Sequence, residues 1–328
     1  MFTTIDTMAA DYAKAQAALK LGKHTTWRNF INNQLGQFWE VRDRETSAEV
    51  LDGHIIKGET AYRMRQVPPG VQLITMGIDV QADHVWVLTK GYGYQNQQWL
   101  IHAGRLETGH TGRQANWEIV DAYIRSEWLS QVDNSVKFYA KKVNIDCRYQ
   151  RAERDEESTV IYDFCIAIPH REGFINPVMG FSRKRMKEMS IRGIHPLAGS
   201  TLTRYNINVD LYKDRAWETL HNPEATPGPK YMHLPIDLPG DIKRQLCSEE
   251  QILVDGVPLW KVKDGHTDNH CWDCNIYADV AAEIAGAFSL RNIDPVKTRL
   301  QVREKQQRLA EKRNRSRDDF QEGNPDIV

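Results

Sequence analysis

The sequence predicts a mixed α/β protein, one β-sheet flanked by helices on both faces. Three observations carry that expectation. Three short apolar stretches run in succession from residue 71, separated by tight turns. A fourth follows a helical stretch and ends in an acid, Asp146. A helix from about 269 to 288 then offers an apolar stripe to pack back on the sheet.

The elements follow in chain order. The first 70 residues read as helix and loop: in TTWRNFINNQLGQFWEV, Trp27, Phe30, Ile31, Leu35 and Phe38 recur near the helical period. Residues 52–70 are punctuated by Gly and Pro and end in VPPG, which marks a boundary before a domain over 71–290. VQLITMGIDVQ, HVWVLTKGYG and QQWLIHAGRL read as a three-strand antiparallel meander. NWEIVDAYIRSEWL reads as a helix, KFYAKKVNID as the fourth strand and STVIYDFCIAI as another helix. Residues 169–200 read as loop-rich and basic. NINVDLYKDRAWETL is a strand running into a helix, and LVDGVPLWKVK is a hairpin. The charged stretch 291–328 reads as a solvated helix that frays into disorder.

Bulk properties narrow the function. A chain of 328 residues with no apolar run of 18 has room for a real core and gives no sign of a membrane span. Its start, MFTTIDTMAADYAKAQAALK, lacks the basic-then-apolar order of a signal peptide. Five scattered cysteines argue against a disulfide framework and suit a reducing cytoplasm. The net charge is −1, whereas a free-standing duplex binder is usually basic, so a nucleic-acid substrate would have to be delivered by something else.

HTDNHCWDCNIYADVAAEIAG, residues 266–286, holds a CxxC pair, Cys271 and Cys274. A structural zinc needs four ligands, and Cys147, Cys165 and Cys247 stand alone. A redox pair would carry a tight turn residue where this sequence has Trp272 and Asp273. The pair reads best as small buried apolar residues one helical turn apart. Asp273 is the informative residue. On the helical period it shares a face with Tyr277, Val280 and Ile284, at the N-terminal end of the core-facing stripe. A carboxylate there needs a cation, a cap or a metal. By itself it reads more readily as one half of a salt bridge.

Two more acids could meet it. Asp79 in MGIDVQ points away from Ile78 and Val80, its apolar neighbours. Asp146 ends the fourth strand. In an RNase H-like sheet the first and fourth strands are adjacent, so both carboxylates would project from one edge, with Asp273 brought over it by the closing helix. With no matched cations in view, three converging carboxylates call for Mg²⁺ or Mn²⁺, which favour oxygen ligands. Two such ions would serve phosphodiester hydrolysis. Aspartates also end strands as turn formers, so each acid alone says little.

YRMRQVPPGVQLITMGIDVQ, NVDLYKDRAWETL, PGPKYMHLP and NHCWDCNIYA together resemble the large terminase subunit of tailed phages, in its lambda GpA-like branch. The resemblance is collinear from about residue 27 to 285. It implies an RNase H-like nuclease; the family's packaging ATPase is not expected here, because no G-x-x-x-x-G-K-[ST] loop is found. Residues 1–70 would be the helical linker that follows that ATPase, 71–290 the nuclease domain and 291–328 a charged tail. By position the family's acids fall on Asp79, Asp146 and Asp273, as catalytic residues and ligands of two Mg²⁺ or Mn²⁺ ions. Two departures stand out: Cys147 and Arg148 follow Asp146 where small residues are common, and His270 stands where some members carry Glu.

His270 is therefore a further candidate metal ligand, with a solvated helix-start histidine as the plain alternative. Lys213 could neutralise a phosphate or be an ordinary exposed lysine. Arg183, Lys184, Arg185 and Lys187 are candidate DNA-backbone contacts, although such runs usually only solvate a surface. Asp83 and Asp268 are reserve ligands, more readily turn and cap residues. The resemblance implies an endonuclease that cuts concatemeric double-stranded DNA at the procapsid in the host cytoplasm, with the portal protein and small terminase subunit as partners. The rival readings are another RNase H-like enzyme of resolvase or integrase type, a noncatalytic module of the packaging machine, and a zinc module.

Overall fold

The computed structural model describes residues 4–20, 24–36, 44–148, 154–167, 173–187, 189–195, 201–221, 229–254 and 257–322. The central sheet is built from eight strands: β1 (Leu73–Val80), β2 (Val85–Tyr92), β3 (Gln98–Leu106), β4 (Ala140–Asp146), β5 (Ile175–Phe181), β6 (Ile191–Ile194), β7 (Arg204–Asn208) and β8 (Met232–His233). Their order is β6-β7-β5-β4-β1-β2-β3-β8. The meander β1-β2-β3 is antiparallel, and β4 and β5 add in parallel on the other side of β1. This is the RNase H-like arrangement expected from the sequence.

Alternation along β1 sorts its side chains between two cores. Ile74, Met76, Ile78 and Val80 enter one cluster, together with Val120 and Ile124 of α4 (Glu118–Ile124) and Phe164 of α5 (Arg154–Ala167). Thr75, Gly77 and Asp79 face the other way, toward α9 (His270–Ile284). That second core joins α9 to α7 (Val209–Leu220), α8 (Gly240–Leu246) and Leu51 of α3 (Ala48–His54). Residues 48–67 pack on both cores: Leu51 enters the second, Tyr62 and Val67 enter the first, and strand 66–67 pairs with strand 128–130. α1 (Ile5–Lys20) and α2 (His24–Gln34) pack on each other through Tyr12, Trp27 and Phe30.

α9 is fixed on the sheet by polar contacts as well as apolar ones. Thr75 Oγ1 donates to the Ala278 carbonyl at 2.8 Å, and Asn144 Nδ2 to that of Tyr277 at 3.1 Å. Lys90, fully buried, donates to Asp279 at 2.7 Å and Asn275 at 2.8 Å, and Tyr92 donates its hydroxyl to the same Asp279 oxygen. A buried ammonium is tolerated because its protons are taken by these acceptors.

Three expectations need correction. Residues 169–200 are not simply loop: β5, the four-residue helix α6 (Arg183–Met186) and β6 lie there. The helix expected over NWEIVDAYIRSEWL stops at Ile124, because Trp128–Ser130 pairs as a strand with residues 66–67 and 137–138. The acids do have cations beside them, as described below. The hairpin β9 (Glu249–Val254) and β10 (Val257–Val262) forms as read. The charged tail is α10 (Pro295–Glu322), and the expected fraying beyond it falls outside the described residues. Phe38, part of the early helical pattern, also falls outside them.

Candidate active site

Parallel pairing places the first two acids. Ile78 of β1 is in register with Ile145 of β4, so Asp79 and Asp146 stand side by side one residue further on. The C-terminal edge of parallel strands is where open α/β sheets usually build sites. Asp273 reaches the same edge from the first turn of α9. α9 comes this close because β1 carries Gly77, with no side chain between the strand and the Cys274 carbonyl. Asp79, Asp146, Asp273, His270 and Lys213 all line one cavity of about 750 Å³.

Each carboxylate has protein partners. Asp79, only 5% exposed, accepts from Gln81 Nε2 at 2.8 Å, and the same oxygen lies 2.7 Å from His270 Nδ1. His270 stacks on Trp86, with ring centroids 5.7 Å apart. Asp146 Oδ1 accepts the backbone N–H of Arg148 at 3.0 Å. Asp273 accepts from Asn269 Nδ2 at 3.0 Å on one oxygen and lies 3.1 Å from Lys213 Nζ on the other. Lys213 is buried and also donates to both oxygens of Glu249, at 2.6 and 2.8 Å.

The electrostatics follow from burial and crowding. Burial pushes the Asp79 carboxyl up, and the hydrogen bond from His270 offsets only part of this. Burial, then the charge of Asp79, push Asp146 well above the usual carboxylate range. Burial pulls His270 down, but its bond to Asp79 and the charges of Asp79, Asp268 and Asp273 together outweigh that and raise it. Burial likewise disfavours the Lys213 ammonium, yet Asp273 and Glu249 hold it firmly protonated. The edge thus carries more negative charge than burial tolerates.

A hard divalent cation fits part of this set. Asp79 Oδ1 and Asp146 Oδ2 have no hydrogen-bond partner among the described residues, and carboxylate oxygens suit Mg²⁺ or Mn²⁺. Each oxygen of Asp273 already takes one donor, so a cation there would share that carboxylate with Asn269 and Lys213. Among the described residues, no three His, Cys, Asp or Glu side chains form a ready-made cage.

The other candidates lie elsewhere. Arg183 turns inward and donates to Asp214 and to the Pro258 carbonyl, while its backbone N–H bonds to Asp210. Arg185 lies over the Phe181 ring at 4.2 Å, and Lys184 and Lys187 are exposed. None of the four lines the cavity, although Phe181 and Ser182 beside them do. Asp83 pairs with His84, and both Asp83 and Asp268 are exposed and outside the cavity lining. Cys271 and Cys274 are free, fully buried thiols, and Cys274 donates to the Trp86 carbonyl at 3.2 Å. Sequence reasoning missed Glu249, Asn269 and Gln81 and noted Arg148 only as a departure from the family pattern; Gln81, two residues beyond Asp79, was the one within reach of a local signal.

Asp79, Asp146 and Asp273 thus gather at the β1–β4 edge of an RNase H-like sheet, with carboxylate oxygens of the kind that suit a divalent cation. The chain belongs to the family described as terminase large subunit gpA, endonuclease domain, whose model matches residues 1–293. It is 26% identical over 299 residues to the terminase large subunit of Escherichia phage lambda. That match covers 87% of this chain and 42% of the relative, so the chain spans less than half the relative's length. Among solved structures, the large terminase nuclease of the thermophilic phage G20c is similar at 12% identity and a TM-score of 0.35, covering 72% of this chain and 98% of that one. The same nuclease with bound magnesium aligns at 10% identity and a TM-score of 0.36, over 71% and 96%. The large terminase of the thermophilic bacteriophage D6E aligns at 10% identity and a TM-score of 0.36, over 70% and 44%. No helix among the described residues is long and apolar enough to cross a membrane.

Proposed function

We propose that this chain is a divalent-metal-dependent endonuclease that cuts concatemeric double-stranded DNA during phage genome packaging. The observation that carries the reading is the meeting of Asp79, Asp146 and Asp273, from two strands and a helix, on one cavity. Membership of the endonuclease-domain family supports it. Asp79 and Asp146 would hold the cation through their unpartnered oxygens, and Asp273 would complete the set. A pair of Mg²⁺ or Mn²⁺ ions supplies water activation and charge stabilisation at the leaving 3′ oxygen.

The chain's own groups do the rest. Gln81 and His270 fix the Asp79 carboxylate against rotation. The Arg148 backbone N–H fixes Asp146. Lys213 keeps a positive charge at the cavity wall, where a phosphate oxygen would approach Asp273. Arg185, which lies over the cavity-lining Phe181, and the exposed Lys184 and Lys187 near it in sequence would contact the DNA backbone without reading sequence. Arg183, tied to Asp214, would hold that segment in place rather than touch DNA.

Near-neutral charge suits a nuclease fed by a motor that raises the local DNA concentration. In this reading residues 1–70 follow the motor, 71–290 form the nuclease and 291–328 the tail. The portal protein and the small terminase subunit are its partners, at the procapsid in the host cytoplasm. Metal-dependent nicking and linearisation of plasmid by the purified chain is the test; a preference for four-way junctions over linear duplex would favour a resolvase instead.

A further inference from the structure

We propose that Glu249 is a positioning residue that sets how readily Asp273 accepts a divalent cation. The inference rests on the metal-dependent reading above and adds a residue to it. Glu249 is 4% exposed, lies on β9 and does not line the cavity. Its two oxygens take Lys213 Nζ at 2.6 and 2.8 Å, and one also takes Asn269 Nδ2 at 2.7 Å. These two donors are the ones that occupy the two oxygens of Asp273. The four side chains therefore form a closed ring, with Glu249 behind and Asp273 in front.

The ring has a consequence for cation binding. A buried ammonium must keep a carboxylate, because an unpaired charge in a dry interior is far costlier than a paired one. Among the described residues the carboxylates against Lys213 are Glu249 and Asp273, and the contact to Glu249 is both doubled and shorter. When Asp273 turns an oxygen to a metal, Lys213 stays satisfied by Glu249. Without Glu249, the same turn would strand the ammonium, and Asp273 would be held by Lys213. Glu249 is 36 residues from Lys213 and 24 from Asp273 in sequence, so the ring ties hairpin β9–β10 to the site through long-range side-chain contacts.

The test is Mn²⁺ binding by the full chain, read from the metal by calorimetry and by its paramagnetic resonance, with folding checked by circular dichroism. Glu249→Gln is expected to weaken Mn²⁺ binding about 10- to 100-fold, the usual effect of losing an outer-shell partner. Glu249→Asp keeps the charge but loses a methylene of reach, and is expected to weaken binding in the same direction. The double variant Lys213→Met/Glu249→Gln removes the competing ammonium with its partner, leaves the net charge unchanged and is expected to bind at least as tightly as the unaltered chain. Unchanged affinity in folded Glu249→Gln overturns the inference, as does wild-type affinity in Glu249→Asp, which would reduce the effect to bare charge. Weakened binding in the double variant overturns it too. An unaltered chain that binds no Mn²⁺ overturns the proposed function itself, and is seen before any variant is made.

Discussion

The carbonyl oxygen of Cys274 lies 1.9 Å from the point where a β-carbon on Gly77 would stand. The next nearest atoms there, Ala278 N at 2.8 Å and the Cys274 carbonyl carbon at 2.9 Å, are also backbone. No side-chain rotation can make room, so any larger residue at 77 must push α9 off β1. Asp273 and His270 ride on that helix. Gly77→Ala is expected to cost about 3 kcal/mol or more, at the upper end for overpacking, and to weaken Mn²⁺ binding. Urea denaturation and metal titration read both; wild-type stability would show that the close approach does not fix the site.

Asp146 pays in stability for its place beside Asp79. Burial and that neighbouring charge both disfavour its ionised form. Asparagine keeps the oxygen that accepts from the Arg148 N–H and removes the charge. Asp146→Asn should therefore be more stable than the unaltered chain in EDTA near neutral pH, by about 1 kcal/mol. Saturating Mn²⁺ should raise the melting temperature of the unaltered chain and not of the variant. A variant that is less stable without metal, or that keeps the metal-induced rise, would count against a shared cation at this edge.

Glu218 on α7 gives a pH dependence remote from the acids of the site. Burial lifts its carboxyl from 4.5 to about 7, more than the nearby Arg44 charge can offset. The folded chain then binds this proton more tightly than the unfolded one, so stability falls as pH rises from about 4.5 to about 7 and levels off above. Glu218→Gln should flatten that fall. It should be more stable than the unaltered chain at pH 8, by about 3 kcal/mol, and equal to it near pH 4. Parallel curves across this range would show that Glu218 ionises normally.

The sequence made the sheet legible where apolar alternation was clean and turns were tight, as in the meander and in VNID. It exposed Asp79 because a single acid between Ile78 and Val80 has only one face to occupy. β5 was hidden because Pro177 and Gly180 interrupt INPVMGF, and only its pairing between β4 and β7 makes it a strand. Trp128–Ser130 was lost to a helical pattern that tertiary pairing overrides. Arg183 looked like its basic neighbours, and nothing local says that Asp214 draws it inward. Glu249 was invisible for the same reason: its partners, Lys213 and Asn269, reach it only through the packing of α7, α9 and the hairpin.

The central claim is that Asp79, Asp146 and Asp273 form a metal-dependent nuclease site. Its most direct test is supercoiled plasmid incubated with the purified chain in Mn²⁺, in Mg²⁺ and in EDTA, beside Asp79→Asn. The expected result is nicking and linearisation in metal, abolished by EDTA and reduced more than about 100-fold in the variant, beyond what an outer-shell change costs. Cleavage that persists in folded Asp79→Asn, or a folded unaltered chain that cuts in neither metal, would contradict it.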